Sequence, residues 1–202
     1  MCPPAVGPHM YLHAIRTHGR RAVRLFRPVR RRIMPPPMPI LDDRSLEFLS
    51  HSPDQTRRLG IRLGERLAAG QVVGLAGDLG SGKTTLAQGI ALGWGALEAI
   101  TSPSFVLVHE YRRADSSILY HVDAYRLSGP AEAEGIGLGE MLAGDRPLIL
   151  EWPERVAALL PEERLTVALE WVDDSRRRLR FEAQGPAYLQ LLREYRKTAF
   201  GG

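Results

Sequence analysis

Gln71-Val72-Val73-Gly74-Leu75-Ala76 runs directly into Gly77-Asp78-Leu79-Gly80-Ser81-Gly82-Lys83-Thr84. The first six residues read as a short apolar strand. The next eight match G-x-x-x-x-G-K-[ST] in full, and Leu86, Ile90 and Trp94 then recur at helical spacing. Strand, glycine-rich turn and helix, in that order, are the context in which such a loop cradles phosphate. Glycines let successive backbone N–H groups converge on one anion, and the helix N-terminus adds a partial positive charge. Lys83 is the point charge expected to reach the β- and γ-phosphates. Thr84 offers a hydroxyl to magnesium, a hard cation that takes oxygen ligands and keeps several waters.

Working outward, Ser45–Ser50 alternates as a strand. Ser52-Pro53-Asp54-Gln55 then gives a helix start: serine at the cap, proline at the first helical position, glutamine three residues after the cap. Leu59, Leu63 and Leu67 predict a core-facing helix that stops at Gly70. On the other side, Phe105–Tyr111 and Ile118–Val122 read as strands joined by a turn around Asp115-Ser116-Ser117. A helical segment follows around Ala131–Leu142, then a buried strand over Pro147–Leu150. Leu165–Trp171 and Leu179–Phe181 predict a hairpin across Asp173-Asp174-Ser175, and a helix over Tyr188–Tyr195 closes the chain. With more strands than helices after the loop, the expected fold is α/β: a single P-loop NTPase-like domain with a mixed sheet flanked by helices.

Two apolar strands end in acids, Ile118-Leu119-Tyr120-His121-Val122-Asp123 and Leu148-Ile149-Leu150-Glu151. Carboxylates at the carboxyl ends of strands open onto the crevice that holds the loop. Asp123 and Glu151 are therefore candidates, with Thr84, for the metal site, and one of the two is free to position water. Base specificity is bounded by an absence: the chain contains no asparagine, so guanine cannot be read by an N-K-x-D motif and ATP is the default. No H-R-D or D-F-G supports a protein kinase.

The 202 residues suit one domain with a tail to spare, and 44% hydrophobic residues suffice for a core. No run approaches the ~20 apolar residues of a membrane span. Cys2 is the only cysteine, which removes a disulfide framework and a thiolate metal site and fits a reducing cytoplasm. The formal charge of +4 is unevenly placed. Residues 1–41 carry eight arginines and no acid, which leaves the rest of the chain at −4. The expected division is a basic Pro/Arg-rich leader over residues 1–40 and an ATPase domain over residues 41–202. The leader reads as a basic arm for RNA, as a targeting peptide, or as a start placed too far upstream of Met34 or Met38.

Four blocks stand in one order: G-D-L-G-S-G-K-T-T (Gly77–Thr85), S-P-S-F (Ser102–Phe105), Y-H-V-D-A-Y-R-L (Tyr120–Leu127) and L-E-W-P (Leu150–Pro153). Together they resemble the TsaE (YjeE) family of small bacterial ATPases, over roughly residues 45–172. Glu134, Gly137-Leu138 and Glu140 resemble the segment between the last two blocks. The resemblance implies a role in the threonylcarbamoyladenosine (t6A) modification of tRNA, at the adenosine beside the anticodon. It implies ATP and Mg2+ as cofactors, and association with a TsaB–TsaD heterodimer through which tRNA is met indirectly. It also implies residue roles. Asp78, Leu79, Gly80, Ser81, Gly82, Lys83, Thr84 and Thr85 surround the phosphates, and Asp123 serves the magnesium. Glu151 orients the attacking water, Trp152 lies at the nucleotide, and Ser104 sits in a switch-like loop near the γ-phosphate. The family usually has threonine where this chain has Ser104. The arginine-rich leader is outside the family pattern.

Other residues carry two readings each. His121 packs beside a strand or acts as a base. Trp152 is core or a contact to nucleotide or partner. Tyr125 and Arg126 order the turn after Asp123, with Arg126 pairing a carboxylate or touching phosphate. Arg176-Arg177-Arg178 is a solvated hairpin face or a contact to RNA or partner. The functional reading is a cytoplasmic, slowly hydrolysing ATPase subunit. Its rivals are a P-loop small-molecule kinase, which needs an arginine-bearing lid that Arg112-Arg113 does not obviously supply, and a scaffold that binds ATP without cleaving it.

Overall fold

A computed structural model of the chain describes residues 43–97 and 107–200. The expectations for the leader and for the Ser102–Phe105 loop lie outside those residues. Seven strands form one sheet: β1 (Ser45–Ser50), β2 (Val72–Ala76), β3 (Val108–Arg112), β4 (Ile118–Asp123), β5 (Leu148–Glu151), β6 (Arg164–Trp171) and β7 (Arg177–Gln184), in the spatial order β1-β7-β6-β2-β5-β4-β3. β6, β2, β5 and β4 run parallel, and β7, β1 and β3 complete the sheet antiparallel. The mixed sheet expected from the strand-rich second half is therefore present. The glycine-rich loop leaves its centre.

Helices α1 (Pro53–Gly64), α2 (Lys83–Trp94) and α5 (Pro186–Phe200) cover one face; α3 (Pro130–Gly135), α4 (Leu138–Ala143) and a 3₁₀ segment (Pro153–Leu159) cover the other. Strand alternation divides the side chains: Leu119 and Ile149 enter the first core, Val122, Leu148 and Leu150 the second. Tyr195 closes the first core and donates its hydroxyl proton to the Leu59 carbonyl at 3.0 Å.

The capping reading of Ser52 holds. Its Oγ accepts from the Gln55 amide at 3.1 Å, and the Gln55 side chain returns to the His51 amide at 2.8 Å. The expected stop at Gly70 does not. α1 ends at Gly64, and Leu67 reaches the core from the turn that follows. The backbone leaves the α-helical ladder there: the Arg66 amide donates to the Leu63 carbonyl at 3.0 Å and the Leu67 amide to the Gly64 carbonyl at 3.1 Å, each three residues back. A Cβ on Gly60 would collide with the backbone of Leu86 and Gly89, one on Gly64 with Ile90, and one on Gly93 with Ile61. α1 and α2 therefore touch backbone to backbone along a close seam. The expected single helix near Ala131–Leu142 is instead two short helices broken at Gly137, whose φ is +74°.

Filling this seam is expected to destabilise the fold. Gly64→Ala should lower stability by about 1–3 kcal/mol, seen as a shifted urea midpoint with unchanged slope. Gly139→Ala, in a helix where the new methyl meets nothing, should leave the midpoint level or raise it; equal losses at both positions would remove the steric account.

The β6–β7 turn is held by Asp173, whose carboxylate accepts from the Arg176 guanidinium at 2.6 Å, the Arg176 amide at 2.8 Å and the Ser175 amide at 3.0 Å. The Arg176 side chain is the largest influence, and the carboxyl drops from its ordinary 3.8 to about 2. A depressed carboxyl stabilises the fold fully above 3.8, and that contribution disappears as pH falls through about 2. A carboxyl-detected NMR titration should place the Asp173 midpoint near 2; a midpoint near 3.8 would mean that the turn does not hold this geometry.

Candidate functional site

Because β2, β4, β5 and β6 run parallel, their carboxyl ends meet at one edge of the sheet. The loop after β2 turns there through Gly77 (φ +137°) and Gly82 (φ +101°), backbone that a side-chain-bearing residue rarely adopts. At Gly77 a Cβ would also fall on the Leu169 carbonyl of β6. Register places Asp123 directly beside Glu151. A cleft of about 340 Å³ is lined by Leu79, Gly80, Gly82, Lys83, Thr84, Thr85, Asp123, Tyr125, Glu151 and Trp152. A cleft of about 370 Å³ beside Trp94 and Arg113 is as large, so volume does not single the site out. The donors and acids do.

The structure thus brings Leu79, Gly80, Gly82, Lys83, Thr84, Thr85, Asp123, Glu151 and Trp152 to one cleft. Asp78 and Ser81 belong to the loop itself without lining it. The Asp78 carbonyl accepts from Lys83 at 2.8 Å, and Ser81 is fully buried. Ser104 lies outside the described residues.

Lys83 is 4% exposed. Its ammonium donates to the carbonyls of Gly77 at 2.7 Å and Asp78 at 2.8 Å, and lies 3.7 Å from the centre of the Trp152 ring. Burial pushes the ammonium below the ordinary lysine range; Glu151, Glu154, Asp123 and Asp78 oppose that shift. A cation held where its charge is disfavoured, satisfied only by neutral carbonyls, is one that a polyphosphate would relieve. Trp152 is steered over Lys83 by its own backbone, which takes the left-handed conformation (φ 59°, ψ 51°) at a strain of about 1–3 kcal/mol. The Tyr125 ring stands 4.9 Å from it, and the Tyr125 amide donates to Asp123 at 3.0 Å.

Glu151 is 2% exposed and engaged at both oxygens. Oε2 accepts from the Thr84 hydroxyl at 3.1 Å, and Oε1 lies 3.0 Å from His121 Nε2. His121 is fully buried, and its Nδ1 lies 3.3 Å from the Tyr111 hydroxyl. The His121–Glu151 contact joins two motifs that stand apart in the sequence. Strand alternation was the available signal, since His121, Asp123 and Glu151 share the sheet face that meets α2. Among the three arginines of the β6–β7 hairpin, Arg176 and Arg178 pair with acids on the surface. Arg177 departs from a solvated face: it is half-buried and donates to the Gly80 carbonyl at 3.4 Å. Arg113, in the β3–β4 turn, stacks on Trp94 and bonds Asp115.

Residues 50–179 match the family described as "Threonylcarbamoyl adenosine biosynthesis protein TsaE". The chain belongs to the TsaE family. It is 34% identical to the tRNA threonylcarbamoyladenosine biosynthesis protein TsaE of Bacillus subtilis, over 75% of this chain and 94% of that one. It is 40% identical to the Treponema pallidum protein of the same name, over 66% of this chain and 98% of that one. The crystal structure of Bacillus subtilis YdiB superposes with a TM-score of 0.66 at 30% identity, covering 77% of this chain and 96% of that one. The TsaE resemblance expected from the four blocks and the P-loop-like α/β fold are both supported, and the family places the chain in tRNA threonylcarbamoyladenosine biosynthesis. Among the described residues no helix is long and apolar enough to cross a membrane.

The buried Glu151 also makes a stability prediction. Glu151→Ala leaves the fully buried His121 with a ring nitrogen unpaired, which should lower unfolding free energy by about 1–3 kcal/mol. Glu151→Gln, which keeps shape and an acceptor, should lose less. Chemical denaturation of both variants checks the order.

Proposed function

We propose that this member of the TsaE family binds ATP with Mg2+ and hydrolyses it slowly, as a subunit that cycles with a TsaB–TsaD-type complex in t6A synthesis. The observation that carries this reading is the convergence of Lys83, Thr84, Asp123 and Glu151 on one glycine-lined cleft. The residues fit the nucleotide. The loop amides and the first turn of α2 face an anion, Lys83 supplies charge, and Trp152 and Tyr125 offer aromatic faces. Thr84 and Asp123 would hold the magnesium, whose role when bound is to neutralise charge on the phosphate oxygens. Among the described residues no three His, Cys, Asp or Glu side chains gather as a metal site of their own. A cation bound together with phosphates and water needs fewer protein ligands.

Glu151, which borders the cleft at Thr84, would accept a proton from water there once the bound nucleotide and cation draw Thr84 to themselves. No arginine of the described residues lines the cleft, and turnover by the chain alone is correspondingly slow. A kinase reading gains nothing here, since Arg113 is committed to Trp94 and Asp115. Partner binding at the loop side of the sheet would couple nucleotide state to the complex.

Calorimetry with ADP and Mg2+ should show binding that disappears when Lys83 and Thr84 are both changed to Ala. Glu151→Gln should retain ADP affinity measured without metal while phosphate release falls by about 10²-fold or more. Adding TsaB, TsaD and tRNA should change the wild-type rate. Undiminished binding by the double variant would end the nucleotide assignment, and indifference to the partners would end the cycling assignment.

A further inference from the structure

Between α2 and the sheet runs a buried chain of polar atoms: Thr84 Oγ1, the Glu151 carboxylate, the His121 ring and the Tyr111 hydroxyl, at successive separations of 3.1, 3.0 and 3.3 Å. His121 is wholly buried and Glu151 and Tyr111 nearly so. A polar chain of this kind is a poor way to fill a core, because each member gives up water for only one or two partners. Its geometry does have a direct result at the surface end. A carboxylate oxygen only accepts, so His121 must present an N–H at Nε2, leaving Nδ1 toward the Tyr111 hydroxyl. Glu151 is then held from behind and takes the single hydrogen of Thr84. What Thr84 turns toward the cleft is its oxygen lone pairs.

We propose that His121 is a positioning residue for the cation end of the site. By anchoring Glu151, it fixes the Thr84 hydroxyl with its hydrogen inward and its lone pairs available to a divalent cation. The inference rests on the Mg2+–nucleotide reading of the cleft and specifies which buried residue makes that reading selective for the metal-bound form. His121 reaches Lys83 only through Glu151, whose charge acts on that ammonium, so nucleotide phosphate binding without metal should depend on it far less than cation binding does.

The test has one arm free of nucleotide and one with it. In wild-type protein labelled with 15N-histidine, the ring shifts of His121 should report the Nε2–H tautomer with a slowly exchanging proton; an Nδ1–H tautomer overturns the assignment whatever the nucleotide does. For the second arm, Mn2+ is titrated into the ADP complex and followed by its paramagnetic signal. His121→Phe preserves a ring among Tyr111 and His109 and removes the donor; Mn2+ affinity should fall about 10-fold, with metal-free ADP affinity falling far less. His121→Gln, which can present an amide N–H to Glu151, should recover most of the loss. Wild-type Mn2+ affinity in His121→Phe overturns the role, as does an equal fall in metal-free ADP affinity. If wild-type protein shows no metal-dependent nucleotide binding at all, the nucleotide reading has failed, and the tautomer still judges the polar chain.

Discussion

Val72–Ala76 lies between two parallel neighbours, and that placement constrains everything at the working edge of the molecule. A strand bonded on both sides cannot bend within the sheet, so the chain leaving Ala76 must turn at the edge and cross to one face. β4, β5 and β6 point the same way and finish at the same edge. The loop therefore emerges between the Asp123–Glu151 pair on one side and the Leu169 carbonyl on the other. Only glycine fits at Gly77, and Lys83 and Thr84 follow at the start of a helix already pinned to α1. Neither acid needs to move to find the loop.

Much of this was readable from residue order, because the relevant signals are local. Gly77–Thr84 states its own turn, and Ser52-Pro53 with Gln55 states a helix start. Asp123 and Glu151 each close a short apolar run. What escaped was set by contacts between distant segments. The leucine spacing does not show how closely Gly60 and Gly64 let α2 approach, and Leu67 keeps its core role from outside the helix. The 3₁₀ segment after Trp152 follows from a left-handed residue at a strand end, which no local pattern announces. His121 looked like one more strand residue because its partner stands thirty positions away on a neighbouring strand. Arg177 looked solvated because its contact is to a backbone carbonyl of the loop.

The site contains an electrostatic tension. Lys83 is drawn below its normal proton affinity by burial while four carboxylates pull the other way. Its hydrogens rest meanwhile on the carbonyls of the same loop that would encircle an anion. Trp152 covers the ammonium from the open side at the expense of a strained backbone. These features belong together: a charge stored against neutral partners is readily transferred to a better one. Family membership gives that arrangement a setting in tRNA modification, and the cleft gives it a chemistry.

The glycine seam between α1 and α2 has a consequence for how this protein can vary. Where two side chains meet, a larger one can be accommodated by trimming its neighbour. Here the obstacles to a methyl group are carbonyl oxygens and α-carbons, which no substitution removes. Drift at those sites has no second-site remedy, so related chains that keep this helix pair should hold small residues there even as the solvent-facing sides of both helices diverge freely.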